Sequence, residues 1–224
     1  MQFTFVELWQ HMGGVAKAIL LVLVVMSLAS LLVMFERWFS FGRARRDSIA
    51  FALRVASGLQ KGDLSGARTL AEGTPKGREG YLGRVIQAGL AAHGKQMDRS
   101  RDLRFEAVLR ALERQSQREL QDLRRGLGLL ASVCSAAPFI GLLGTVVGIV
   151  NAFQQMALSG AGGLATVSAG ISEALVTTAV GLFVAIPALL GFNHLQGWVE
   201  ARTVDLAEAC NELADEVARA DEKV

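Results

Sequence analysis

Between Arg125 and Glu200 the chain runs for 74 residues with a single formal charge, the carboxylate of Glu173, while Arg, Asp and Glu crowd the sequence on both sides. A helix needs about 20 apolar residues to cross a bilayer, so a stretch of this length and composition holds two crossings. Ser159, Gly160, Ala161, Gly162 and Gly163 divide it, which predicts spans over 126–153 and 166–192 joined by an external turn at 154–165. An earlier run, Ala18 to Phe35, has no charge and is followed by Glu36, Arg37 and Trp38 rather than by a small-residue cleavage site. It reads as a retained first span over 18–38, with 1–17 outside the membrane.

Charge sets the orientation. Residues 37–125 carry 19 Lys and Arg against 10 Asp and Glu, whereas 200–224 carry 3 against 8. Arg37, Arg43, Arg45 and Arg46 follow the first span and Arg118, Arg124 and Arg125 precede the second, while the 154–165 turn has no basic residue. The positive-inside rule then puts 39–125 and the 193–224 tail in the cytoplasm and the amino terminus outside, with Lys17 outvoted. The expected fold class is an all-α membrane protein: three transmembrane helices, two of them extended far into the cytoplasm, plus a small helical cytoplasmic region.

Within 39–125 apolar residues recur at helical spacing, with breaks at Gly62, at Gly73–Gly77 around Pro75, and near Gly94. The last helix, capped by Asp98, meets no Pro or Gly until Gly126. It is expected to continue into the second span as one rod of about 55 residues, roughly 80 Å long. A basic rod beside an acidic tail suggests that the two pair; two separately solvated charged faces are the alternative.

The spans carry a second pattern. With Glu173 at zero on a helical wheel, Gly170, Ala174, Thr177, Gly181, Ala185 and Ala188 fall between about 40° and 120°, a stripe of small residues. Ala137, Gly141, Gly144, Thr145 and Gly148 repeat at similar spacing in the second span, including a GxxxG. Small stripes let helices approach closely in lipid. Pro138 and Pro187 each remove a backbone donor and predict kinks. Glu173 sits at the edge of its stripe with no Lys or Arg in the spans to neutralise it. Loss of hydration makes the neutral acid of a carboxyl group accessible, which suits proton uptake and release. The competing role is a protonated acid bonded to a hydroxyl as glue between helices. Thr145, Thr177 and Thr178 have hydroxyls for a hydrated path, although such threonines commonly bond back to their own preceding turn.

Phosphate loops, nucleophile elbows, zinc-protease motifs and paired-cysteine metal motifs are missing from the sequence, so neither catalysis nor a metal or organic cofactor is expected. His11, His93 and His194 have no ligand spacing, and Cys134 and Cys210 read as free thiols. The basic block has no aromatic interleaving or nucleic-acid motif. Inverted repeats and multiple broken helices, the marks of a self-sufficient transporter, are lacking too.

The run Ala137-Pro138-Phe139-Ile140-Gly141-Leu142-Leu143-Gly144-Thr145-Val146-Val147-Gly148-Ile149 resembles the second transmembrane motif of the ExbB/TolQ proton-channel family. The run from Gly170 through Glu173, Thr177, Thr178 and Gly181 to Ala185, Ile186 and Pro187 resembles its third. The resemblance is strong over about residues 100–200 and extends to layout elsewhere. It implies a homopentamer in the bacterial inner membrane enclosing a dimer of a single-span ExbD- or TolR-type partner, with protons as the coupling ion and no other cofactor. Around that partner the stripe residues Ala137, Gly141, Gly144, Gly148, Gly170, Ala174, Gly181 and Ala185 would pack. By motif position, Thr145 and Thr178 match pore-facing threonines and Glu173 the membrane glutamate, while Thr177 stands where a small apolar residue is common. Such a channel would convert proton motive force into mechanical work for iron-complex uptake, the Tol envelope system or gliding; a non-conducting membrane scaffold organising cytoplasmic partners is the alternative from another class.

Overall fold

The structure, a computed structural model, describes residues 12–59, 63–75, 77–96, 100–159 and 164–222. Six helices account for nearly all of them: α1 Gly14–Leu59, α2 Leu64–Glu72, α3 Gly80–Lys95, α4 Arg101–Arg124, α5 Leu127–Ser159 and α6 Leu164–Glu222. No strand occurs among the described residues, so the chain is all-α. The chain divides into two compact units, Met1–Glu36 with Gly126–His194, and Arg37–Arg125 with Leu195–Val224.

The first unit is apolar throughout. Parts of α1, α5 and α6 are each long and apolar enough to cross a membrane. Their mutual core is narrow: Ile19, Leu23, Val133, Ala137, Val184, Ala185 and Ala188 are buried, with Met26, Cys134, Ile140 and Val180 packed on them. The bulky side chains face outward instead, among them Leu32, Phe139 and Phe183, each more than 70 % exposed. In water such an outer surface would be strongly unfavourable; against acyl chains it is the expected one. Pro138 and Pro187 lie inside α5 and α6, and both helices run on past them.

The second unit has an ordinary core. Phe51, Val55, Tyr81, Val85, Val108, Leu112, Leu206, Leu213 and Val217 are each at most 2 % exposed. Burying one such aliphatic or aromatic side chain contributes about 2 kcal/mol. Asp63 begins α2 as its N-cap, its carboxylate accepting the Gly66 N–H at 2.8 Å. Gly80 opens α3 at φ +62°, where a side chain would strike Ser48 of α1. Trp198 of α6 stacks on Phe41 of α1 at 4.0 Å and meets Tyr81 edge-on, with the Arg202 guanidinium 5.2 Å from its ring. Glu119, 2 % exposed, is held by the guanidinium of Arg84 and by the Gln115 amide at 2.7 Å.

The breaks anticipated at Gly73–Gly77 and near Gly94 match the gap between α2 and α3 and the end of α3. Gly62 and the Asp98 cap fall outside the described residues; α4 starts at Arg101 after Ser100. The continuous rod is corrected. Arg125 adopts φ −58°, ψ 133° and Gly126 φ +85°, which stops α4 before α5 begins. The two far-reaching helices are therefore α1, with 46 residues, and α6, with 59, rather than the second span and the third. α5 runs to Ser159 and α6 begins at Leu164. Pairing between basic rod and acidic tail is present within one chain: Arg104 bonds Asp221 at 3.1 Å, and Arg101 reaches the Ala218 carbonyl at 3.3 Å. His93 completes this junction, 3.1 Å from Asp221.

Candidate functional site

The site is built from the small residues of α5 and α6. The two stripes face each other. A Cβ placed on Gly141 would lie 3.2 Å from the Gly181 Cα, and one on Gly181 would lie 2.7 Å from the Ala137 carbonyl oxygen. One on Gly148 would meet the Ala174 Cβ at 2.9 Å, one on Gly170 would press on Ala152, and one on Gly144 would clash with Thr177. Ala137, Ala174 and Ala185 are likewise buried within the chain. Within the chain the stripes bring α5 and α6 into backbone contact with each other. The reason is geometric: two complementary small faces on consecutive antiparallel spans meet most cheaply through a short turn.

Backbone proximity determines where the hydroxyls go. Thr178 donates to the Gly141 carbonyl at 3.0 Å, a bond between helices. Thr177 has no exposed surface; it donates to Ala174 of its own turn at 2.7 Å and lies 3.4 Å from Gly141 O. Thr145 bonds back to Leu142 at 2.7 Å, the same-turn arrangement common for threonine in apolar helices. Thr145 and Thr178 are partly exposed on the assembled pair, whereas Thr177 is sealed inside it.

Glu173 is half-buried and points to the start of α1. Its Oε1 accepts the Gly13 N–H at 2.8 Å, and the Gly13 carbonyl accepts the first α1 bond, from Lys17 N–H at 3.1 Å. The carboxyl group thus sits on the amino end of a helix, where unpaired N–H groups present partial positive charge. A Cβ on Gly13 would be 3.8 Å from Glu173 Oε1 and 3.9 Å from the Asn151 amide nitrogen. Gly13 and Asn151 are neighbours that sequence reasoning missed. Asn151, a primary amide inside an apolar span, was a readable signal; the distance to Gly13, 160 positions from Glu173, was not. Among the described residues Glu173 pairs with the Gly13 backbone amide. No cluster of metal-binding side chains occurs among the described residues.

A comparison of the sequence with known families decides the identity. Residues 78–208 match the MotA/TolQ/ExbB proton channel family, more than half of the chain. The chain belongs to this family. Members similar to it include the Tol-Pal system protein TolQ of Pseudomonas aeruginosa, 37 % identical over 187 residues, 80 % of this chain and 78 % of that protein. TolQ of Haemophilus influenzae is 32 % identical over 223 residues, covering 95 % and 92 %. The biopolymer transport protein ExbB of Xanthomonas campestris is 48 % identical over 90 residues, 40 % of this chain and 36 % of that protein. The MotA/TolQ/ExbB match contains α5, Thr145, Glu173, Thr177 and Thr178, whereas Gly13 and the crossing part of α1 precede it.

Proposed function

We propose that this chain is the proton-channel subunit of an inner-membrane motor that converts proton motive force into mechanical work through a single-span ExbD- or TolR-type partner. The observation that carries the reading is Glu173: the one charge between Arg125 and Glu200, half-buried within the three-helix apolar unit of a chain from a proton channel family. An intramembrane ionisable group is a functional site by default. The partly exposed Thr145 and Thr178 lie on the same helix pair and would line the route where the pair meets the partner.

By resemblance to the family, the channel is a ring of copies, a homopentamer around a partner dimer. Small residues close each pair, and the exposed bulky side chains, such as Leu142, Val146 and Phe183, meet lipid, neighbouring copies and the partner. The amino terminus lies outside and the α1 and α6 extensions in the cytoplasm. Movement of one charge through 100 mV releases about 2.3 kcal/mol, so a few protons per step suffice for mechanical work. Similarity along most of the length of two TolQ proteins favours the Tol envelope system over iron-complex uptake or gliding.

The test is reconstitution in liposomes with and without a single-span ExbD- or TolR-type protein. Proton flux that appears only with the partner supports the reading. Flux without any partner indicates a standalone transporter, and no flux in either case indicates a scaffold.

A further inference from the structure

Just beyond the first apolar run, α1 carries a concave surface of about 520 Å³ lined by Trp38, Phe39, Gly42, Arg43 and Arg46. At 100° per residue these five fall within an arc of about 140°, one face of the helix. Trp38 is 64 % and Phe39 75 % exposed, and Arg43 and Arg46 are exposed one to two turns further along. The floor between rings and guanidinium groups is Gly42, where an added Cβ would find nothing within 4 Å. Arg43, itself exposed, has a loose ion pair to the largely buried Asp47 at 3.8 Å.

We propose that this notch holds the headgroup of an anionic phospholipid. The run Ala18–Phe35 ends three residues before Trp38, which puts the two rings at headgroup depth, where aromatic side chains concentrate. The arginines then lie at the level of the phosphates, and a guanidinium matches a phosphate through paired N–H donors. The two guanidinium groups attract a lipid of net negative charge more than phosphatidylcholine, whose choline cation offsets the same phosphodiester. The inference requires only that Ala18–Phe35 crosses the bilayer; it is independent of proton conduction.

Full-length protein with its partner, in nanodiscs, distinguishes the sources. Quenching of Trp38, taken as the difference between wild type and Trp38→Phe, is measured with brominated phosphatidylglycerol in phosphatidylcholine and with the bromines on the phosphatidylcholine instead, at equal mole fraction. The expected result is several-fold stronger quenching by the brominated anionic lipid. Arg43→Gln with Arg46→Gln removes that excess, lowering apparent affinity about fivefold per arginine. Gly42→Leu, which fills the notch in open space without changing charge, removes it too. Equal quenching by both lipids, or an excess that survives the double substitution, overturns the proposal. So does displacement by inorganic phosphate, which would point to a soluble anion, or quenching by neither lipid together with cross-linking between copies at this face.

Discussion

At the scale of single residues, three threonines that look alike in the sequence have three different positions. Thr178 bonds across to α5, Thr145 bonds within its own turn, and Thr177 is buried at the helix contact. Thr178→Val therefore loses about 1 kcal/mol of interhelix bonding, whereas Thr145→Val leaves unfolding in detergent nearly unchanged. Both should still impair coupling, since each removes a partly exposed hydroxyl; a Thr145→Val protein with full output would remove that residue from the route. Glu173 and the hydroxyls were legible because polar atoms in an apolar run stand out. Which hydroxyl faces outward was not, because Thr177 and Thr178 differ by only 100° of helix rotation and the position of Gly141 decides between them.

At the scale of elements, the pattern fixed the apolar helices and misjudged their extensions. Apolar length and the small stripes survive in α5 and α6, but Gly126 after Arg124 and Arg125 is a helix-stop signal that the expected rod passed over. The observed φ of +85° makes Gly126 that terminator. Gly144→Leu presses a side chain into Thr177 and should separate α5 from α6; a loss of about 3 kcal/mol or more, seen as lowered unfolding temperature and reduced assembly, is expected. The α2 cap gives a pH prediction. The Gly66 N–H and then the Ser65 hydroxyl hold Asp63 below the ordinary carboxylate range. A carboxyl group with a depressed folded value contributes stability above its unfolded value and loses it as pH falls through the folded one. Amide protection factors in the first turn of α2, taken relative to the intrinsic exchange rate at each pH, should fall on acidification below the ordinary carboxylate range, and Asp63→Asn should flatten that response. An unchanged pH profile in the variant would mean that another group controls the turn.

At the scale of the whole molecule, segregation of charge in the sequence becomes segregation of surface: an apolar unit with many bulky residues outside, and a polar unit with an ordinary buried core. The Arg104–Asp221 junction ties basic helix to acidic tail within a chain, a pairing that the charge asymmetry foreshadowed without specifying. The long-range contact that matters most, Glu173 on the amino end of α1, was beyond reach of the sequence because it joins segments 160 residues apart. Glu173 is the one acid between Arg125 and Glu200, and the proposed proton transfer rests on it. The most direct measurement is proton flux into liposomes containing this chain and its partner under an imposed potential, wild type against Glu173→Gln. Glutamine keeps the shape and still accepts from Gly13, yet carries no transferable acid proton. The account predicts an intact complex with flux reduced at least about tenfold. Flux equal to wild type through an equally assembled Glu173→Gln complex would contradict it.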